Sequence, residues 1–280
     1  MDDCNDDRIH ALALDQHPND GQIKMIVSLN QLAILILIFA RISGVFLEAP
    51  VFNSRSILRP VKVFLAVWIS IVLWFVVPIK AVPQTLTEFA VMLVVQLAIG
   101  FCLGFIANFI FLAVQAAGEI MDLQMGLSVG ATLDPIFGSS ISVVGRLTFY
   151  AALTIFLIFN GHHMVLSALN QSFRLVPIGY LPNFANPKIF FQLLELMKFF
   201  WLTALSLAAP AVVLIFISDF TFGIVSRVAP QVNVFMLGFQ VKPTLGLVAL
   251  LFALPLFIKQ ITFLVEAIGR ESILFLSFIK

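Results

Sequence analysis

Six long apolar segments fill most of the chain between residues 23 and 268, and they constrain its fold more than any other feature. They run roughly over 23–47, 61–77, 86–118, 141–169, 189–217 and 245–268. Each reaches or approaches the ~20 apolar residues that cross a bilayer as a helix. Clusters containing proline separate them, at 50–60, 78–83, 177–187 and 230–243. None alternates polar and apolar with the period of two that a membrane barrel strand needs. Backbone in lipid must satisfy its own hydrogen bonds, so the segments predict helices. The expected fold is all-α: a membrane-associated protein of about six long, broken hydrophobic helices or hairpins.

The rest of the composition agrees. Charged residues make up 11 % of the chain and apolar residues 61 %, too few charges to coat a water-facing surface. Such a chain is not an ordinary soluble enzyme, a disordered protein or a disulfide scaffold. A net charge of +1 provides no basic face for nucleic acid. Cys4 and Cys102 lie in a polar tail and an apolar run, so no disulfide is expected. The tail, residues 1–22, carries Asp2, Asp3, Asp6, Asp7, Asp15 and Asp20 against Arg8 alone until Lys24. That is the wrong sign for a secretory signal and reads as an acidic, disordered extension.

Several residues are unusual for a plain membrane bundle. Arg41 sits inside the first segment, where a charge at mid-bilayer costs about 2.5–3.5 kcal/mol and should therefore face protein or water. Pro210 and Pro255 interrupt the fifth and sixth segments, and Gln96, Asn108 and Gln115 lie along the third. Glu195 and Lys198 are spaced to pair on one helix face. With six spans, Lys and Arg divide almost evenly between the two sides, unlike a typical permease. Neighbouring subunits, more than lipid, should then determine where the helices sit. Gly100 and Gly104 form a G-x-x-x-G pair and Ala113 and Ala117 repeat the spacing, marking the third segment for close helix contact.

The connection after the third segment is the most informative stretch. From Gly118 to Ser140 it mixes Gly, Ser, Thr and an Asp134-Pro135 step with Ile120, Met121, Leu123, Met125, Leu127, Val129, Leu133, Ile136 and Phe137. The first group argues against one continuous helix, and the second against a solvated loop. Irregular backbone at membrane depth survives only inside protein or beside a water cavity, so the stretch reads as folded into a lumen. Met121, Met125 and Leu127 suit a deformable seal, and Gly126 and Gly130 allow bending. Glu119, Asp122 and Asp134 can cap helix ends or answer cationic groups on partner chains, and Asp134 before Pro135 equally suits a simple turn.

Other chemistries fit less well. Gly126-Leu-Ser128-Val-Gly130 matches the G-x-S-x-G nucleophile pattern, with Asp134 and His162 or His163 following in order. That pattern needs a strand, a sharp turn and a helix, and nothing before Gly126 reads as a strand. An intramembrane serine hydrolase would still need a base within ~3 Å of Ser128. Adjacent His162 and His163 point ~100° apart on a helix and lack a third ligand nearby, so no metal site is expected. No Walker pattern supports ATP binding, and no cofactor or catalytic residue is expected. A solute permease would show a repeat of broken helices around a midplane site, and no such repeat is present.

Separate motifs in a fixed order then resemble a known family. Gln115-Ala-Ala-Gly-Glu-Ile-Met-Asp122-Leu-Gln124-Met125-Gly126 with Asp134-Pro135 is similar to the FliR/SctT family of type III export-gate proteins, in its flagellar branch. So are Arg41-Ile-Ser-Gly44 with Pro50, Phe156-Leu-Ile-Phe-Asn-Gly-His162-His163, Ser172-Phe173 with Pro177-Ile-Gly179, and Arg227-Val-Ala-Pro230-Gln231-Val-Asn-Val-Phe235-Met-Leu-Gly238. The acidic extension is longer than usual for the family, and Ile57-Leu58-Arg59-Pro60 departs from its usual Ile-Pro step.

The resemblance implies one copy of the chain in a pseudo-helical gate with FliP and FliQ, in the bacterial inner membrane at the flagellar basal body. That gate conducts unfolded flagellar proteins. Residues 23–265 would form the gate domain, with a P-subunit-like part over 23–180 and a Q-subunit-like hairpin over 189–265. Residues 266–280 would follow as a C-terminal tail. The stretch 119–134 becomes the family's plug loop. The Arg227, Pro230 and Gln231 hairpin would lie near the cytoplasmic entrance, where FlhB packs beside the FlhA ring. Many of the family's helices stand above bilayer level after assembly, which would account for the even charge division. The injectisome T subunit shares this architecture.

Overall fold

The computed structural model describes residues 20–50, 52, 58–79, 82–127 and 142–279, with side chains from residue 30 onward. Seven helices make up the described residues. They are α1 (Asp20–Glu48), α2 (Arg59–Trp74), α3 (Leu86–Met125), α4 (Val143–Ile158), α5 (Gly161–Leu175), α6 (Pro187–Val228) and α7 (Val234–Ile279). The only β pairing among these residues is an isolated parallel bridge between Ile79 and Ile178. The acidic tail up to residue 19 lies outside them, and α1 begins at Asp20.

Local chemistry sets the helix starts. Thr85 accepts from the Glu88 amide, while the Glu88 carboxylate accepts from the Gln84 amide at 2.9 Å, closing the start of α3 from both sides. Ser142 caps α4 through the Gly145 amide at 2.8 Å, and Asn186 followed by Pro187 opens α6. The side chain and carbonyl of Asn233 start α7 by accepting from the Met236 and Leu237 amides.

Among the described residues, four helices are long and apolar enough to cross a membrane, or five spans if the bent pair α4–α5 counts as one, where the sequence predicts about six apolar segments. The second apolar segment becomes the 16-residue α2, only about 24 Å long. The fourth breaks into α4 and α5, bent by 72° at Phe159 and Asn160, with Asn160 in the left-handed region at φ 56°. The prolines also act differently from expectation. Pro210 lies inside a continuous α6, and Pro243, placed above among boundary residues, lies with Pro255 inside α7. Apolar surroundings leave freed backbone groups no better partner than the helix, which therefore continues past each proline. The last fifteen residues follow the same rule: α7 runs to Ile279, and Ser272, Phe275, Leu276 and Ile279 are buried. The loop before α6 holds that end down. The Asn183 amide donates to the Ile279 carbonyl at 3.0 Å, and Asn186 Nδ2 to Phe278 O at 2.8 Å.

Helix α3 is the axis of the fold, packed by α1, α4, α6 and α7. Gly44 of α1 faces Leu97 and Phe101, and Asn108 Nδ2 donates to Glu48 Oε2 at 3.1 Å, so α1 and α3 run parallel. A Cβ on Gly100 would strike the Arg41 carbonyl, and one on Gly104 would sit 2.7 Å from Val45 O. The two helices therefore cross backbone to backbone. Gly118 meets Gly145 and Thr148 in the same way, bringing α4 back antiparallel along α3. The α6–α7 hairpin closes the other side, with Phe200 of α6 at 4.9 Å from Phe109 of α3.

Candidate functional site

The stretch singled out after the third apolar segment begins as helix. Glu119, Met121, Asp122, Gln124 and Met125 form the last two turns of α3, and the expected break comes only at Gly126. Nothing between Gly118 and Met125 prevents a helix; glycine and serine accumulate only beyond that point. Gly126 adopts φ 77° and its amide donates to the Asp122 and Leu123 carbonyls, a left-handed helix stop that glycine takes without strain. Leu127 is 38 % exposed just past the stop. Gly130, Asp134 and Pro135 lie outside the described residues, as does Ser128.

The two methionines face inward. Met121 is 1 % and Met125 0 % exposed. Met125 lies directly on Gly246 of α7, where a methyl group would come within 2.6 Å of its Cγ and 2.8 Å of its Sδ. Met121 packs beside Pro210, Ala211 and Phe257 of α6 and α7. The helix end is thus docked into the α6–α7 hairpin, and the Phe239 ring stands 3.7 Å from where a Gly126 side chain would begin. Beside this junction lies an open groove of about 580 Å³, lined by Leu123, Gln124, Gly126, Asp219, Phe222 and Lys242 among others. Lys242 pairs with Asp219 across the hairpin at 2.5 Å. Gln115 donates to Glu119 one turn down α3 at 2.9 Å. Asp122 is buried, and its Oδ1 meets no donor among the described residues.

Arg227, Pro230 and Gln231 are exposed at the tip of the hairpin. The tip is a short turn, tightened by the Val232 amide donating to the Ala229 carbonyl at 3.0 Å. Gly100 and Gly104 lie far down α3 from this region, at the crossing with α1. The structure therefore joins the Met121–Gly126 end to the part of the hairpin next to its tip, where Ser226, Val234 and Phe235 line the same groove, and keeps the two glycines apart from it.

Sequence reasoning placed Arg41 against protein or water without naming its surroundings. The side chain is completely buried. Its Nε donates to Gln96 Oε1 at 2.7 Å, Nη1 to Ser172 Oγ at 3.2 Å and Nη2 to the Val176 carbonyl at 2.9 Å. Its guanidinium stacks 4.2 Å from the Phe173 ring centroid. Val176 ends α5, so the cation closes a helix C-terminus, where exposed carbonyls favour positive charge. Arg41 ties α1 and α3 to α5, beyond the 72° bend. Serine and phenylalanine at positions 172 and 173 gave no local signal of this role, because their partner lies 131 residues away.

The residues before Gly126 are helical, so the strand–turn–helix setting of a nucleophile elbow is not formed there. His162 and His163 open α5 with ring centroids 4.4 Å apart. Among the described residues, no group of three His, Cys, Asp or Glu side chains could hold a metal ion.

Comparison with known proteins agrees with the arrangement of motifs. The model of bacterial export proteins, family 1, matches residues 32–268. The flagellar biosynthetic protein FliR of Escherichia coli K12 is 36 % identical over 217 residues, covering 77 % of this chain and 82 % of that protein. FliR of Pectobacterium carotovorum is 35 % identical over 221 residues, covering 78 % and 83 %. The Yop proteins translocation protein T of Yersinia pestis is 28 % identical over 214 residues, covering 75 % and 81 %. With a family match that begins inside α1 and ends inside α7, and with its higher identities on the flagellar side, the chain belongs to bacterial export proteins, family 1, as a FliR-type component of the flagellar export apparatus.

Proposed function

We propose that the chain is a subunit of the flagellar type III export gate in the inner membrane, where it forms part of the conduit for unfolded flagellar proteins. The observation that carries this reading is the length of its apolar surface. Helices α3, α6 and α7 have 40, 42 and 46 residues, about 60, 63 and 69 Å, against a hydrocarbon core of about 30 Å. Large apolar side chains stay exposed along nearly all of α6 and α7, from Phe190 to Val228 and from Phe235 to Leu274. Only 33 % and 28 % of their most apolar windows are buried within the chain. A bilayer covers about half of such a helix, and the remainder requires apolar protein partners. FliP-type and FliQ-type subunits suit that requirement, with FlhB at the Arg227–Gln231 tip and FlhA beyond it.

Within this reading the stretch from Gly126 onward acts as the plug. Met121 and Met125 anchor its start instead of sealing the lumen, because both are spent on contacts with α6 and α7. Sealing then rests on Leu127 and the residues that follow. The flagellar reading is preferred to the injectisome one because the FliR relatives above are 35–36 % identical and the T protein 28 %.

Affinity purification from the native host tests the assembly: P-type and Q-type chains should come down with this one, and isolation as a lone chain or homodimer refutes it. Deleting residues 128–140 tests the plug. The expected result is increased ion leak through the resting membrane with the complex still assembled, and an unchanged leak removes the plug role.

A further inference from the structure

Arg41 and Gln96 form a buried cluster of donors that the acceptors among the described residues leave incomplete. Arg41 is 0 % and Gln96 1 % exposed. Among the described residues no carboxylate pairs with Arg41, and the ion pairs all lie elsewhere, at Lys198–Glu195, Lys242–Asp219 and Arg270–Glu271. A guanidinium has five N–H groups, and three are engaged by Gln96, Ser172 and Val176. Gln96 Nε2 is buried and has no acceptor among the described residues. Reversing the amide would not help, because it would aim Nε2 at the Arg41 Nε–H, donor against donor.

We propose that this cluster binds one monovalent anion of chloride size, held between Gln96 Nε2 and a free N–H of Arg41. Amide geometry keeps Gln96 Nε2 within about 5 Å of Arg41 Nε, and the free N–H groups are on Nη1 and Nη2 of the same guanidinium. The electrostatics favour an anion over a neutral acceptor. The α5 C-terminus supplies only about half a negative charge, and the Phe173 face a weaker attraction. A full positive charge out of contact with water therefore lacks a matching counter-charge, which burial strongly disfavours. A halide supplies the charge and accepts from several donors at once. The site lies where the C-terminal end of α5 meets α1 and α3, so the ion would act as a structural counter-ion for that junction. This inference does not depend on the gate reading.

The test uses the detergent-solubilised protein together with whatever chains co-purify with it. Thermal midpoints are measured in sodium chloride, bromide and gluconate at equal ionic strength. The expected result is a higher midpoint in either halide, saturating with concentration, and bromide density between the two side chains. Gln96→Leu should weaken the apparent halide affinity at least about tenfold. Gln96→Glu is the sharper variant, because its carboxylate supplies the counter-charge internally. It should assemble normally and melt near the halide-bound wild-type midpoint in all three salts. Equal wild-type midpoints in halide and gluconate would overturn the proposal, whether water or another chain's carboxylate meets the donors. So would a Gln96→Glu protein that keeps the full halide response. Failure to recover P-type and Q-type chains would count against the gate reading alone.

Discussion

Exchanging side-chain volume between Met125 and Gly246 tests whether α3 is docked into the α6–α7 hairpin as described. Met125 is fully buried, and its side chain occupies the space that a Cβ on Gly246 would need. Met125→Ala removes three heavy atoms beyond Cβ, a void of about 70 Å³ if nothing relaxes, and at about 24 cal/mol per Å³ the cavity alone costs about 1.7 kcal/mol. Gly246→Ala pushes a methyl group against Met125 Cγ and Sδ, not merely its mobile tip, and overpacking of this kind costs about 1–3 kcal/mol. In the double variant the alanine methyl enters the space the methionine has left. Its loss should fall below the sum of the two single losses by about 1–2 kcal/mol, a coupling typical of residues in direct contact. The assay is the thermal midpoint of the purified complex for the wild type, both single variants and the double variant. Strictly additive losses would refute the contact and with it the anchoring of the helix end ahead of Gly126.

Three further outcomes follow from individual contacts. Gly126→Ala should cost about 1 kcal/mol through its positive φ, whereas Gly126→Asn should cost less, since asparagine tolerates the left-handed region; the order of the two thermal midpoints checks this. Arg41→Lys keeps the charge but loses the planar fork and the stack on Phe173, and should lower stability by about 2 kcal/mol or more, read as reduced recovery and midpoint of the complex. Removing residues 275–280 strips three buried apolar side chains and two capped carbonyls from the end of α7, and should lower the yield of folded protein; unchanged yield would show this end to be dispensable.

How much could be read from the sequence depends on how far apart the interacting residues lie. Long apolar runs with almost no charge leave only helices as an economical backbone, so the all-α class was legible directly. Arg41 within such a run already signalled that it faces protein or water and not lipid. The glycines at 100 and 104 signalled close approach, although nothing near them named α1 as the helix they meet. Boundaries were less legible. Proline at 210, 243 and 255 reads as a breaker by its missing amide, yet a surrounding without water holds the helix together. The Gly118–Met125 run read as irregular because it was judged with the glycine- and serine-rich residues that follow it.

What the sequence by itself determined is the class of solution: a helical chain with more apolar surface than it can bury, bearing the ordered motifs of an export-apparatus family. Only the tertiary structure decided that Met121 and Met125 are buried against α6 and α7, that Asp219 pairs with Lys242, and that Arg41 closes the end of α5. Hydropathy and helix breaking are properties of neighbouring residues and survive in a one-dimensional reading. Burial of one methionine, or the partner of one arginine, is set by helices tens to more than a hundred residues distant, and exists only once they have packed.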